Sequence, residues 1–423
     1  MIENKPKNAI YAQSGGVTAV INASAAGVIT AFRAQNEHIA NLYAAQNGIL
    51  GVLHEQLVNT NLISNEQLLK LRQTPGGIFK SCRYKLKNLL ENRKEYERLI
   101  EVFSAYNIEY FFYNGGNDSA DTCIKVAQIA AELNYPIKAI HIPKTIDNDL
   151  VITDNCPGFG SVAKYIATSI KEAGYDLASM ALTSTKVFIL EVMGRHAGWI
   201  AASGGLAANN ANEAPHIILF PEVAFDEQLF LAKVQQVVAT VGYCVVIAAE
   251  GVKDKNGKSI SAAENSKDAF GHAQLGGVAS VLAKMVGDKL GLKYHYAIAD
   301  YLQRSARHIA SKTDVEQAYC LGYAAINYAL QGKNAIMPYI KRVSQQPYLW
   351  EIDYAPLSQI ANQEKTMPLN YIAEDGFHIT PICREYLQPL ILGEDYPSYS
   401  AGLPDYLTLE LAIESKKLPP FSK

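Results

Sequence analysis

The chain has 423 residues, more than one hydrophobic core ordinarily serves and enough for two domains that share a cleft. Hydrophobic residues make up 49% and charged residues 19%, the balance of a folded, soluble chain. A net charge of −3 excludes the broad basic surface that nucleic acid or an acidic membrane needs, so an anionic ligand must be held by a local cluster of cations.

The opening MIENKPKNAIYAQ has no apolar signal core, and no later apolar run approaches membrane-spanning length. NAIYAQ reads as a first strand; it leads into Ser14-Gly15-Gly16 and a helical stretch from about 19 to 34. IEYFFYN runs into GGNDS and a helix through 131, and IKAIHIPK runs into TIDND. KVFILEV precedes MGRHAGW, HIILF precedes PE, and YCVVIAA precedes EG. Strand, loop and helix repeated in this way predict an α/β protein with parallel sheet, whose ligand sits beyond the carboxyl ends of the strands. The polar stretch 253–268 reads as a surface loop, and the part beyond 361 as packing against a second domain. Six cysteines without a CxxC pair or metal-ligand spacing predict free thiols in a reducing, cytoplasmic setting.

No GxxxxGK[ST] occurs, which sets aside a P-loop enzyme. Gly158-Phe159-Gly160-Ser161-Val162-Ala163 fits the dinucleotide pattern GxGxxA, but it follows Asp154-Asn155-Cys156-Pro157 instead of a buried strand and is set aside too. Four loops remain. Ser14-Gly15-Gly16 lets backbone amides approach a phosphate at a helix start, and Gly115-Gly116-Asn117-Asp118-Ser119 repeats that arrangement with a carboxylate. Lys144-Thr145-Ile146-Asp147-Asn148-Asp149 brings a cation, a hydroxyl and two carboxylates together; if extended, it points Asp147 and Asp149 the same way. Met193-Gly194-Arg195 offers a guanidinium suited to phosphate. Singly these read as tight turns, an Asx-turn and a solvated cation. All four at the strand ends of one fold point to a phosphate-handling, metal-assisted enzyme.

At TIDND together with MGR the sequence resembles the phosphofructokinase family, and the resemblance continues through SGGVTAVINAS, PGGIFKSCRYKL, YNGGNDSADT, CPGFGSVAKY, AAEG and YLQRS. It implies two similar Rossmann-like three-layer domains with the active site between them, and phosphoryl transfer to the 1-hydroxyl of fructose 6-phosphate with magnesium. The implied boundaries are 1–160 plus about 303–355 for the donor domain and about 161–302 plus 356–423 for the sugar-phosphate domain. By the same resemblance Asp147 is the base, Thr145 positions the attacked phosphoryl, and Arg83 and Arg195 stabilise the transferring charge. Gly16 presents its backbone to the donor, and Met193, Gly194, Glu250, Tyr301 and Arg304 line the sugar-phosphate pocket, Arg304 as the clamp on the 6-phosphate. Lys186, with either Lys293 or His295, would reach the 6-phosphate of a neighbouring subunit, which implies a homodimer or homotetramer.

The resemblance is to the branch that uses pyrophosphate. Where ATP users resemble GGDGS and PGTIDND, this chain has Asp118 and Lys144 in place of glycines. Asp118 would set bulk and negative charge in the path of a nucleotide's inner phosphate, and Lys144 an ammonium where the small polyanion ends. Asp118, Asn117 and Asp149 are the expected surroundings of the metal; Asn117 departs from the family's acid and brings an oxygen without charge. Two alternatives are an ATP-dependent phosphofructokinase with atypical loops and a silent sugar-phosphate-binding regulatory subunit. A longer acceptor such as sedoheptulose 7-phosphate also fits a pocket that clamps the distal phosphate.

Overall fold

The computed structural model describes residues 6–261 and 277–422. Of the polar stretch 253–268, the described part is a tight exposed turn in which Asp254 accepts from the Asn256 and Lys258 amides; the remainder, 262–268, lies outside the described residues.

Among the described residues, eleven strands build the two main sheets: β1 (Lys7–Gln13), β2 (Ile39–Ala45), β3 (Leu57–Asn59), β4 (Ile108–Gly115), β5 (Lys138–Pro143), β6 (Val187–Val192), β7 (Ile217–Leu219), β8 (Cys244–Ala249), β9 (Tyr294–Ile298), β10 (Ile336–Ser344) and β11 (Leu349–Pro356). The larger sheet has the order β11-β10-β5-β4-β1-β2-β3 and the smaller β7-β8-β6-β9. Pairing is parallel throughout the smaller sheet and in the middle of the larger, whose outer pairs β2/β3 and β10/β11 are antiparallel. Five of these strands, β2, β3, β9, β10 and β11, are not among the strand runs that the sequence pattern predicts.

Strands covered on both faces must be apolar throughout, and every residue of β8 is buried. Along β1 the side chains alternate. Ile10 and Ala12 enter a core with the helices Arg93–Ala105 and Asn117–Glu132, while Ala9 and Tyr11 enter one with the helices Ile21–Ala34 and Lys312–Leu330. The larger half is thus three-layered. A separate core lies around the smaller sheet, with the helix Phe159–Met180 and the segment holding Met367, Ile379, Cys383 and Leu390.

The final residues correct the expected packing of the whole stretch beyond 361. Leu407, Leu409 and Leu411 join a core of the larger sheet, Leu418 and Phe421 join another, and the Glu414 amide bonds to the Leu57 carbonyl. A buried Glu55–Arg98 pair, 3.0 Å apart, holds this return: Glu55 accepts from the Lys417 amide and Arg98 donates to the Pro419 carbonyl. The 356–423 boundary therefore needs its last stretch moved to the larger half.

Candidate active site

The carboxyl ends of both sheets open into one cleft of about 980 Å³. The chain turns from β1 to one side of the larger sheet and later to the other, leaving a crevice between β1 and β4. Ser14-Gly15-Gly16, Asn117 and Asp118, and the 144–149 loop enter the cleft from this sheet. Met193, Arg195, Glu250, Tyr301 and Arg304 enter from the other. Of the residues expected in the site, all but Gly194 and Lys186 line it.

The 144–149 loop is not simply extended, because Asn148 adopts a left-handed conformation, φ 56°. The alternation survives nonetheless in burial: Ile146, Asn148 and Leu150 are buried, while Thr145, Asp147 and Asp149 are half-buried and line the cleft. Asn148 closes the loop by accepting from the Cys156 amide and donating to the Tyr386 hydroxyl. The Thr145 hydroxyl accepts from the Asp147 amide at 3.1 Å and also hydrogen-bonds the Asp149 carboxyl. Burial above all, with the carboxylates of Asp149 and Glu250 added, pushes Asp147 up to about 7 against the pull of Arg195 and Lys144. Burial also raises Asp149, and burial raises Glu250 against the pull of Arg195. A carboxyl poised near neutrality is what a general base requires.

Three cations converge on the glycine turn after β1. The Lys144 ammonium donates to the Ser14 and Gly16 carbonyls at 2.8 and 2.6 Å, leaving one of its three N–H groups for a ligand. Its burial, with Arg304 and Arg83 nearby, lowers it to about 7, against the pull of Asp147 and Asp149. Arg304 stacks on the Tyr301 ring, 4.0 Å from its centroid, and a β-carbon at Gly16 would collide with its guanidinium. Any side chain at Gly16 would push the Arg304 guanidinium off the turn, so glycine keeps that cation against the backbone. As placed, Arg304 faces the Gly16 turn together with Arg83, so its expected role on the distal 6-phosphate rests on the family resemblance alone.

At the donor end Asp118 is ion-paired with Lys85 at 2.6 Å. The negative charge expected there thus stands against an ammonium that offsets part of it, and the bulk of the pair lies beside the cleft. Asn117, first residue of its helix, donates its amide to the Gln363 carbonyl at 2.6 Å. Among the described residues no three His, Cys, Asp or Glu side chains cluster to hold a metal. The oxygens Asn117 Oδ1 and Asp149 Oδ1 are nevertheless buried without a hydrogen-bond partner, in residues that line the cleft. An amide and a carboxylate oxygen, completed by ligand phosphates and water, fit a small hard divalent cation.

Gly194 shapes the loop without lining the cleft; its φ of 133° is open only to glycine. Lys186 lies at the opposite end of β6, roughly 20 Å from Met193 along the strand, and donates to the Ala181 carbonyl. His295 stands beside it on the edge strand β9, exposed, and Lys293 donates to Ser184. Several cleft residues carried no assigned role in the sequence: Lys85, His196, Asn362, Glu364 and Lys365. Lys85 had a signal, since it sits two residues from Arg83; the group around 362–365 had none. The GxGxxA helix start is already occupied, as Asp314 accepts from the Gly158 and Ser161 amides and the Ser161 hydroxyl.

A carboxyl held near neutrality, a glycine turn ringed by cations and two buried oxygens without partners in one cleft suit a phosphoryl-transfer enzyme. Residues 8–327 match the phosphofructokinase family, and the chain belongs to it. It is 59% identical over 417 residues to the pyrophosphate–fructose 6-phosphate 1-phosphotransferase of Methylococcus capsulatus, covering 98% of this chain and 99% of the relative. It is 58% identical to the enzyme of that name from Halomonas elongata, covering 98% and 99% of the two chains. The crystal structure of a pyrophosphate-dependent phosphofructokinase from Nitrosospira multiformis superposes with a TM-score of 0.91 at 61% identity, over 98% of this chain and 100% of that one. Phosphotransferases of this family generally use a divalent metal. Among the described residues no helix is long and apolar enough to cross a membrane.

Proposed function

We propose that this chain transfers a phosphoryl group from pyrophosphate to the 1-hydroxyl of fructose 6-phosphate, giving fructose 1,6-bisphosphate and orthophosphate, reversibly and with magnesium. One juxtaposition carries the reading: Asp147, a carboxyl held near neutrality, shares a cleft with Gly16 and the cations Lys144, Arg83 and Arg304 gathered on it. The larger-sheet half holds the donor and the smaller-sheet half the sugar phosphate.

Asp147 accepts the proton of the 1-hydroxyl as the oxygen attacks the nearer phosphorus of pyrophosphate. Thr145 orients that phosphoryl group, and Arg83 and Arg195 balance its charge in the transition state. Lys144 and the backbone at Gly16 hold the departing orthophosphate, and Glu250 accepts from sugar hydroxyls. Magnesium, held by Asn117 and Asp149 and adjoined by Asp118, would neutralise the charge of the pyrophosphate oxygens. Asp118 and Lys85 fill the space a nucleotide would thread, which disfavours ATP.

Lys186 is too far from its own cleft to serve it, so we assign it to the 6-phosphate of a neighbouring subunit in a homodimer or homotetramer. The exposed Tyr296 and Ile298 on the open edge of β9 suit such a contact. The cysteines are all unpaired thiols, which fits a cytoplasmic setting. Phosphorus NMR of purified protein with fructose 6-phosphate, pyrophosphate and magnesium tests the reaction: a 1-phosphate ester and orthophosphate should appear in equal amounts. Orthophosphate without the ester would refute it.

A further inference from the structure

The segment after β11 crosses the mouth of the cleft. It leaves one core at Ile360, on the larger-sheet side, and enters the other at Met367, on the smaller-sheet side. Between these anchors Asn362, Glu364, Lys365 and Thr366 line the cleft, and Gln363 bonds to one of its side chains. Asn362 donates to Asp121 at 3.3 Å, the Gln363 carbonyl accepts the Asn117 amide, and Glu364 meets the His196 ring at 3.0 Å. The Lys365 backbone N–H donates to the Asp149 carbonyl at 2.7 Å. The Lys365 ammonium donates to the Thr153 and Asp154 carbonyls at 3.1 and 2.9 Å, and lies 3.5 Å from Asn148 Oδ1.

These contacts have a directional consequence. A carbonyl only accepts, so the Gln363 carbonyl turns the amide nitrogen of Asn117 toward the strap and leaves Oδ1 on the other side. That oxygen is buried and has no partner, and the same holds for Asp149 Oδ1 on the loop pinned by Lys365. An aspartate at 117 would set a carboxylate oxygen against the Gln363 carbonyl with no donor between them. The amide at 117, unexpected for the family, is thus the side chain this strap requires.

We propose that the strap Gln363–Lys365 is the positioning element of the divalent-metal site, aiming Asn117 Oδ1 and Asp149 Oδ1 through bonds to one side chain and one backbone. This rests on the assignment of those two residues to the metal made above. The strap bonds to residues of both halves, so it also ties their separation to the geometry of the site.

The test measures Mn²⁺ affinity by electron paramagnetic resonance with methylenediphosphonate present, and amide exchange of residues 361–367 by mass spectrometry. In Asn117→Asp the strap should exchange at least tenfold faster, and Mn²⁺ should bind several-fold more weakly despite the added negative charge. Tighter Mn²⁺ binding with unchanged strap exchange would overturn the proposal. Lys365→Met keeps the apolar stem and removes only the ammonium; a threefold or greater loss of Mn²⁺ affinity is expected, and unchanged affinity counts against the strap. Asp149→Asn separates the two levels. Mn²⁺ binding should fall more than tenfold with strap exchange unaltered, and if it does not fall the metal assignment itself is wrong.

Discussion

Replacing Asp147 with asparagine should slow the enzyme and stabilise the fold, and the two effects share one cause. Burial and the neighbouring carboxylates raise Asp147 from 3.8 to about 7, so ionisation is opposed in the native state and unopposed in the unfolded chain. A group raised in this way binds its proton more tightly when folded. It therefore takes nothing from stability below pH about 4, and its destabilising effect grows until pH passes about 7. That rise sets a ceiling of about 4 kcal/mol at pH 8, to be discounted because the carboxyl is partly reached by solvent. Asparagine keeps the shape and removes the charge. Thermal melts should show the variant more stable than the parent at pH 8, with the gap closing by pH 4.5. Forward kcat should fall by about 10²–10⁴ with KM for fructose 6-phosphate little changed, because the amide cannot take the proton. The parent's rate should rise with pH through neutrality, and the variant's residual rate should lose that dependence. Retention of more than about a tenth of the rate, or a variant less stable than the parent at pH 8, would refute the reasoning.

Lys186→Ala should raise the KM for fructose 6-phosphate far more than that for pyrophosphate, and mixing it with Asp147→Asn protein should restore some activity if subunits exchange; a normal KM would remove Lys186 from the shared site. Asp118→Gly should admit ATP weakly, the gain being steric because Lys85 already offsets the charge, and adding Lys144→Ala should chiefly damage pyrophosphate use, non-additively; steady-state kinetics with both donors measure this. Glu55→Ala removes the buried partner of Arg98, leaving it only the exposed Glu101 at 3.3 Å, and releases the returning C-terminal residues, so it should cost about 3 kcal/mol in denaturant melts and expose residues 415–421 to protease.

The parts of the molecule legible in its sequence are those whose physics is local. β4, β5, β6 and β8 are apolar runs because both faces of a parallel sheet are covered, and their glycine and carboxylate loops follow directly in the chain. The 144–149 loop kept its predicted alternation even though Asn148 is left-handed. What escaped depends on distant partners. Gly158–Ala163 is set aside on its own sequence context, but nothing there shows that Asp314, far along the chain, caps it. The strap acts through the Gln363 carbonyl and the Lys365 amide, groups every residue carries, so no side-chain pattern announces it. The return of Leu407–Phe421 to the larger half likewise depends on partners far off in the chain, Glu55 and Arg98 and the cores its leucines enter.

The central claim is the identity of the phosphoryl donor, and turnover of the purified, unaltered protein with fructose 6-phosphate, magnesium and either pyrophosphate or ATP tests it most directly. Pyrophosphate should support rapid formation of fructose 1,6-bisphosphate, and orthophosphate with fructose 1,6-bisphosphate should regenerate pyrophosphate, while ATP gives little or no product. Efficient turnover with ATP and none with pyrophosphate would contradict the account.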